Sequence, residues 1–525
     1  MISRRTLLKL FSLNVCTTRA FGQKKDEINQ PHYIQINFFG APARWSFDLP
    51  LFPYEKKTTN RNPTVANEII SLNPFVTKLK LTSINNVNYP QIWKESFCSS
   101  KGVTDLNSLY NNLVTIRGCD MSIDGHEVNN QKLLSPFGVG DSIDAHIARY
   151  VPSDYGPIHL LQKYSPMSTA PGAYRSKEGV SAINLFSTKS YGEKLFSFKF
   201  KGKRINAENK VLEELAKLNG FNYVATELYK KDFKKLESEY LSAVDKYKSI
   251  LNVNYKNYIK KERRKKPLKN IKVNTQVTSI KEVEQKIGHL LYDEHILIGE
   301  NIREIALNLT FSNMAEKFAI SEVIAINELS STSLMMIDPP EGINYTGYNI
   351  KTKKYVVFKD KKGTFDSHTV GAVADILIMN AFYFVFSSLL NEFVVTLKGK
   401  NKFDNTLIHL TSEFDRTPNE NLSGSDHGFQ GHTSSLIGGQ FKGTECVGDV
   451  YKNFSGHSAL HKSNGIWGAG APLEKLDKRK ISYRNITSTI CHILKIKSLT
   501  PNDISLVSIN SSKNITLPAG SAKNV

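Results

Sequence analysis

The chain has 525 residues, of which 40% are hydrophobic and 22% are charged, and its formal net charge at pH 7 is +20. Length alone allows two to four domains with a large buried core, and the composition is ordinary for a soluble globular protein. No uninterrupted apolar run reaches the ~18–20 residues that a membrane span requires, so we predict a mature chain without a transmembrane span.

The amino terminus is predicted to be an export signal. Residues 3–9, with the sequence SRRTLLK, resemble the twin-arginine motif S-R-R-x-F-L-K. A short apolar stretch follows, and Ala-Phe-Gly at 20–22 ends it like a small-x-small cleavage site. We therefore predict that residues 1–22 are a twin-arginine signal peptide, that the export machinery is a partner, and that the mature protein is periplasmic or in the cell envelope.

Residues 23–205 show alternating strand and short helix patterns with many turns. His32–Phe39 is a strand candidate, because turn residues follow this apolar run directly. Leu113–Gly118 is a second strand candidate, and it is followed by polar residues that can line a cleft: Asp120, Asp124 and His126. Residues 143–151 have helical periodicity, and Ser142 or Asp141 stands where a helix N-cap is expected.

Residues 206–310 are predicted to be a helical insertion with a basic linker. Leucines at 212, 215 and 218, and apolar residues between Phe233 and Ile250, recur at helical spacing among lysines and glutamates. We expect a helical hairpin here, with Val283–Asn308 resuming the helix. Much of the excess positive charge lies between Lys256 and Lys272. No nucleic-acid motif accompanies it, so we predict a solvated segment, with an anionic envelope polymer or lipid as the alternative partner.

Residues 311–500 contain the clearest candidates for chemistry. Asp366 and His368 follow a predicted strand at Tyr355–Phe358 and precede an apolar helix candidate at Ala372–Leu390. An aspartate and a histidine two residues apart can reach one metal ion if the loop bends between them, although a surface turn also explains the pair.

The segment from Thr406 to Gly448 contains the densest group of polar residues. An apolar, β-branched run at Thr406–Leu410 is followed at once by residues that suit a site at the carboxyl end of a strand: Ser412, Glu413, Asp415, Arg416, Asp426, His427 and His432. Carboxylates and imidazoles this close together are suitable ligands for a divalent metal such as zinc, manganese or calcium. A structural ion pair between Arg416 and Asp426 is the alternative.

This segment resembles a known family. SEFDRTP, then GSDHGFQGH, then IGGQFKG are similar to the motifs of an exported bacterial family named domain of unknown function 1501, which usually has E-F-G-R-T-P, G-x-D-H-G and G-G-x-x-x-G-G. Asp415 replaces the usual first glycine and Thr444 replaces the last. The resemblance implies an alkaline-phosphatase-like α/β fold, an open sheet flanked by helices, with a helical insertion between its two halves.

The resemblance also implies roles for particular residues. Members of that superfamily have a ligand aspartate beyond the first strand, which would be Asp48, and a helix-terminal nucleophile, which would be Ser142. Glu413 would be a metal ligand at a strand end, completed by His427 or His432. A different registration places Asp426 and His427 on the metal, and the sequence does not decide between them. A solvated aspartate and a plain N-cap serine are the alternatives for the first two.

Two functions follow from these predictions. The first is metal-dependent hydrolysis of a small phosphate or sulfate ester, with Ser142 or a water as nucleophile and Arg416 holding the anionic group. The second is a non-catalytic envelope-associated binding or assembly protein with the same fold. Residues 501–525 are predicted to be a polar tail.

Overall fold

The computed structural model describes residues 30–47, 81–84, 87–137, 140–151, 153, 156–161, 183–186, 224–268, 279–311, 313–418, 423–448 and 470–517. The predicted signal peptide, the candidate ligand Asp48 and the leucines at 212–218 lie outside these residues. The tail is described as far as residue 517, and Leu506 and Val507 are buried in the core.

The described part of the chain contains both strands and helices. In chain order, the strands are β1 (His32–Asn37), β2 (Leu81–Ile84), β3 (Val87–Pro90), β4 (Phe97–Ser99), β5 (Gly102–Thr104), β6 (Asn112–Asp120), β7 (Ile158–Leu161), β8 (Ile183–Phe186), β9 (Leu291–Tyr292), β10 (His295–Ile298), β11 (Thr332–Met336), β12 (Ile343–Asn349), β13 (Lys354–Lys361), β14 (Thr406–Thr411), β15 (Asp415–Pro418), β16 (Ser425–Gly428), β17 (His432–Gly438), β18 (Gly443–Val447), β19 (Ile481–Ser482), β20 (Ser508–Ile509) and β21 (Ile515–Thr516). The α-helices are α1 (Asn107–Tyr110), α2 (His126–Leu134), α3 (Ile143–Tyr150), α4 (Val224–Arg263), α5 (Ile280–Ile287), α6 (Met314–Ile326), α7 (Ala372–Gly399) and α8 (Tyr483–Ile493).

A mixed sheet of nine strands lies at the centre. Its order is β18-β6-β17-β14-β1-β11-β7-β8, and β19 also pairs with β6. β17 is antiparallel to both of its neighbours, β14 and β6, whereas the other described pairs of this sheet are parallel. Because the two reversals cancel, β6 points in the same direction as β14 and β1. The carboxyl ends of these three strands therefore meet at one edge of the sheet.

Helices cover both faces of this sheet. On one face, the Phe38 ring packs edge-on against three rings of α7, with centroids 6.2, 6.0 and 5.0 Å from those of Phe382, Tyr383 and Phe386. On the other face, Ile486 and Ile490 of α8 pack in one core cluster with Tyr33, Leu407 and Leu436. β1 and β14 are consequently buried along their whole length, as expected for strands covered on both sides. The predicted α/β class, with a central sheet flanked by helices, is confirmed.

Helix α7 is the most apolar of the described helices. Within the described ranges it is the one helix long and apolar enough to cross a membrane, and 94% of its most apolar stretch is buried inside the protein. The helix predicted at Ala372–Leu390 is confirmed and continues to Gly399. Because α7 is buried against the central sheet, its apolar composition is that of a core helix.

The predicted insertion packs on the same core. Helix α4 has 40 residues and lies against α6 and α7. Its Lys246 Nζ lies 2.6 Å from Glu322 Oε2 of α6, and the Tyr247 hydroxyl donates to the same oxygen at 2.7 Å. The tyrosines at 240, 247, 255 and 258 are all buried. This helix therefore extends the central core rather than forming one of its own.

The helix predicted at Val283–Asn308 is wrong beyond Ile287. β9 and β10 form a hairpin whose two turn residues are Asp293 and Glu294, and Asp293 takes the left-handed conformation with φ 50°. A two-residue hairpin turn needs positive φ, which glycine usually supplies, so this Asp-Glu pair gave no sequence signal. β10 also pairs with β12 in a four-stranded antiparallel sheet, so paired strands cross the predicted boundary at residue 310.

A three-histidine cluster as candidate metal site

The candidate site forms where the carboxyl ends of three strands meet. Gly40 follows β1, Glu413 follows β14, and Asp124 and His126 follow β6. The fourth contribution is the loop that contains His368, which precedes α7. The sheet direction explains why residues separated by hundreds of positions in the chain come together here.

One imidazole comes from each of three segments: His126, His368 and His427. A ligand nitrogen from each lies within 4.8 Å of the other two. His368 Nε2 and His427 Nε2 are 2.9 Å apart, and the His126 and His427 rings have centroids 4.6 Å apart. Two nitrogens bound to one tetrahedral zinc ion lie about 3.3 Å apart, so small adjustments would place all three on one ion. His368 is exposed, so the group is open to solvent.

A glycine allows the two segments of the His368–His427 pair to approach. A Cβ atom on Gly424 would lie 2.0 Å from the carbonyl oxygen of His368, so only glycine fits at this position. Next to it, the hydroxyls of Ser367 and Ser425 are 2.6 Å apart, and the Ser425 N–H donates to the Ser367 carbonyl at 3.1 Å. The first glycine of the G-x-D-H-G motif thus holds the His368 loop against β16.

Glu413 orients His126. Its Oε1 lies 2.6 Å from His126 Nδ1 and accepts a hydrogen bond from the Gly40 N–H at 2.7 Å. With Nδ1–H donating to the carboxylate, the lone pair of His126 Nε2 points toward the cluster. Buried carboxylates that bind the far nitrogen of a metal-binding histidine fix its tautomer and ring orientation. Glu413, predicted as a ligand, is fully buried and reaches the cluster through His126.

Asp124 has the same relation to His427. Its Oδ1 lies 2.5 Å from His427 Nδ1, which leaves His427 Nε2 facing His368. Burial lowers the pKa of His427 to about 4, against the raising effect of the Asp124 hydrogen bond. Partial desolvation of the His368 ring also lowers its pKa, helped by the charge of Arg416. Both imidazoles are therefore neutral at pH 7, which is the form that binds metal.

Arg416 lies beside the cluster as a buried cation. Its Nη2 is 2.7 Å from Asp366 Oδ1 and 3.4 Å from His126 Nε2, and its Nε donates to the Gly40 carbonyl at 3.1 Å. Its Nη1 is buried and has no hydrogen-bond partner among the described residues. Partial burial raises the pKa of Asp366, but the charge of Arg416 outweighs it and holds that pKa below its usual value. Asp366 therefore pairs with Arg416 and lies 3.6 Å from His368 Nε2.

The structure does not bring His432 into this group. His432 is fully buried in β17, where its Nε2 lies 3.0 Å from Ser434 Oγ and 3.2 Å from Thr411 Oγ1. Burial lowers its pKa well below the usual value. Its Nε2 is thus used by hydroxyls inside the sheet, and the structure places this imidazole apart from the three-histidine group.

Ser142 and Asp426 also have other contacts. Ser142 is the buried N-cap of α3, and none of its described contacts is with the cluster. That helix is held to β7, where His159 Nε2 lies 2.6 Å from Asp144 Oδ2. The Ser142 hydroxyl makes no cap hydrogen bond within the described residues, so both interpretations of this serine, nucleophile and plain N-cap, stay predictions. Asp426 Oδ1 accepts a hydrogen bond from the backbone N–H of His427 at 2.8 Å, which stabilises the histidine's backbone.

Sequence reasoning placed His126 and Asp124 in a cleft but gave neither a metal role. Both precede Glu413 by almost three hundred residues, and no local spacing connects them to His427. The sequence signal that could have found them is their position after a strand. That position indicates a place beside Glu413 only when β6 is known to run parallel to β14.

We predict that Glu413→Gln weakens zinc binding about 10- to 100-fold, because the neutral amide no longer fixes and polarises His126. Competition with a chromophoric zinc chelator measures the change. Glu237→Gln on the exposed surface of α4 is the matched control and should bind like the wild type. Equal affinities for Glu413→Gln and wild type would contradict the positioning role of Glu413.

No protein-family model, no curated protein and no solved structure matches this chain. The family resemblance seen in the motifs therefore stays a prediction.

Proposed function

We propose that this protein is an exported, metal-dependent hydrolase of small phosphate or sulfate esters with an alkaline-phosphatase-like fold. The observation that carries the proposal is the convergence of three imidazoles, two of them backed by carboxylates, beside a buried guanidinium. The motif resemblance and the export-signal pattern support the same interpretation, but both are sequence patterns and say nothing about distances in the site.

The nature of the donor atoms favours zinc. Imidazole nitrogen suits zinc, whereas calcium takes six to eight oxygen ligands, so calcium is the weakest candidate among zinc, manganese and calcium. Three histidines leave a fourth position open, as in catalytic zinc sites. When bound, zinc would supply an activated water at neutral pH and polarise the ester oxygen. This assignment needs no serine, in keeping with the contacts of Ser142.

Arg416 is the residue that would bind the anionic part of the substrate. Its guanidinium is held by Asp366 and the Gly40 carbonyl, so it is oriented before any ligand arrives. The unpartnered Nη1 is a donor whose burial is costly unless an acceptor reaches it, and a phosphate or sulfate oxygen is such an acceptor. Asp366 would keep Arg416 in place rather than bind the metal.

Two observations favour the alternative, a non-catalytic envelope-binding protein. Arg416 Nη2 lies 3.4 Å from His126 Nε2, the nitrogen that would bind metal. In addition, Lys256, Lys260 and Arg263 form one exposed basic face at the end of α4, suited to an anionic polymer. A protein of this kind would keep the fold and bind no metal.

Hydrolysis of 4-nitrophenyl phosphate and 4-nitrophenyl sulfate tests the proposal. The zinc-loaded protein should hydrolyse at least one ester, and removal of zinc with a chelator should abolish the reaction. We expect Arg416→Lys to lower kcat/KM about 100-fold, because one donor to the developing charge is lost. Ser142→Ala should keep wild-type activity. A zinc-loaded protein without activity on anionic esters would reject the hydrolase and leave the envelope-binding protein.

A further inference from the structure

A second polar cavity lies at the opposite edge of the sheet from the histidine cluster. It has a volume of about 710 Å³, within the range usual for ligand sites. It is bounded by the amino ends of β6, β14 and β18 and by the segment before β21. Its lining residues are Asn111, Asn112, Lys398, Phe403, Asp404, Gly439, Lys442, Gly443, Lys513 and Asn514.

The distance to the candidate metal site follows from the strands. β14 has six residues and runs from this cavity to the histidine cluster. At about 3.3 Å per residue the two regions are roughly 20 Å apart. A small ligand in one region therefore does not touch the other.

The charge of the cavity is positive. Lys398, Lys442 and Lys513 contribute +3 and Asp404 contributes −1, so the lining has a formal charge of +2. Asp404 Oδ2 lies 3.4 Å from Lys513 Nζ, which also donates to the Gly439 carbonyl at 3.1 Å. No described carboxylate lies within ion-pair distance of Lys442. Asp404 is the one carboxylate among these lining residues, so the lining keeps a net positive charge.

Lys398 is held at the wall of this cavity. Its Nζ lies 4.8 Å from the centroid of the buried Phe403 ring, a cation–π contact. Partial burial lowers the pKa of Lys398, and the nearby charge of Asp404 opposes that effect. An anion would compensate the cost of keeping this ammonium partly desolvated.

Neutral donors complete the lining. Asn111, Asn112 and Asn514 add side-chain amides, and Asn112 Nδ2 is already used by the Phe441 carbonyl at 2.7 Å. Asn111 and Asn514 are therefore the amides available to a ligand. Ammonium groups together with amide N–H groups are the usual partners of phosphate and sulfate oxygens.

We propose that this cavity binds an anion with at least two negative charges carried on phosphate or sulfate groups. Lys398 and Lys442 make the ionic contacts, Lys513 closes one side, and the asparagine amides bind oxygens that the lysines leave free. This binding is separate from ester hydrolysis at the histidine cluster and does not depend on it.

Calorimetric titration of inorganic pyrophosphate into the metal-free full chain at low salt tests the proposal. The wild type should bind one pyrophosphate, and Lys398→Glu/Lys442→Glu should weaken the affinity at least tenfold. Lys353→Glu/Lys354→Glu, which reverses two exposed charges in the β12–β13 turn, is the matched control and should bind within about twofold of the wild type. Circular dichroism verifies that each variant is folded.

Three results would overturn the proposal. The first is a wild type that does not bind pyrophosphate. The second is equal affinity of the wild type and Lys398→Glu/Lys442→Glu. The third is pyrophosphate binding that is lost in Arg416→Lys but kept in Lys398→Glu/Lys442→Glu. That result would place the anion at the histidine cluster instead.

Discussion

The purified protein is expected to contain close to one zinc ion per chain, and His126→Ala/His427→Ala is expected to contain none. Each alanine removes one of three nitrogen ligands, and the single remaining histidine cannot retain the ion against dialysis. Elemental analysis by mass spectrometry measures the content directly. This comparison has the largest expected effect because the outcome is presence or absence.

The control for this experiment is His492→Ala. His492 is an exposed histidine at the end of α8, so its loss changes the histidine count without touching the cluster. Zinc that persists in the double variant would show that the ion is bound elsewhere. A wild type without any transition metal would reject the metal site and with it the hydrolase proposal.

Acid is expected to destabilise the wild type more steeply than His409→Gln. His409 lies fully buried in β14, with Nδ1 2.8 Å from the Tyr33 hydroxyl and Nε2 3.1 Å from Ser434 Oγ. Burial, with the charge of Arg44 in the same direction, lowers its pKa from 6.5 to about 3. As the pH falls below 6.5, His409 therefore becomes protonated in the unfolded chain but stays neutral in the folded chain. The contribution of neutral His409 to the free energy of unfolding is therefore complete above pH 6.5, and it declines as the pH falls toward 3.

The size of this effect follows from the pKa difference. Between pH 7 and pH 4 the free energy of unfolding of the wild type should fall by roughly 3 kcal/mol more than that of His409→Gln. Buried Asp415 and Asp375, whose pKa values burial raises to about 6 and about 7, act in the opposite direction, but they do so equally in both proteins. Urea unfolding across this pH range measures the difference. Parallel pH profiles for the two proteins would contradict it.

Much of the fold was predictable because its strands and core helix are locally strong. Runs such as Thr406–Leu410 and Leu113–Gly118 are apolar and β-branched, and each ends in turn or polar residues, so pattern alone placed β14 and β6. The helix at Ala372–Gly399 is apolar on all sides, which predicts a buried helix. The β9–β10 hairpin was missed because its Asp-Glu turn lacks the glycine that signals positive φ.

The candidate site was predictable only in part. Asp366, His368, Glu413, Arg416 and His427 were found because strand ends place polar chemistry at a sheet edge, and the structure brings these five together. Their roles were not predictable: whether a carboxylate binds a metal or a histidine depends on distances across the fold. Glu413 became a partner of His126 because β1 and β6 end beside it.

Asp415, one of the two residues that depart from the motifs that the chain resembles, does not alter the cluster. Its side chain is buried, and the charges that act on it most are those of Arg44 and Arg117 rather than the histidines. Asp415 therefore adds a carboxyl group to the protein interior next to β17, and it does not contact the three imidazoles.

The order of strands in the central sheet has a consequence for biosynthesis. β1, near the amino terminus, lies between β11 and β14, and β6 pairs with β17 more than three hundred residues later. A ribosome must therefore have synthesised more than four-fifths of the chain before the middle of the sheet can close, and until then β1 and β6 have unpaired edges. Such long-range pairing makes folding slow and favours chaperone binding to the nascent chain.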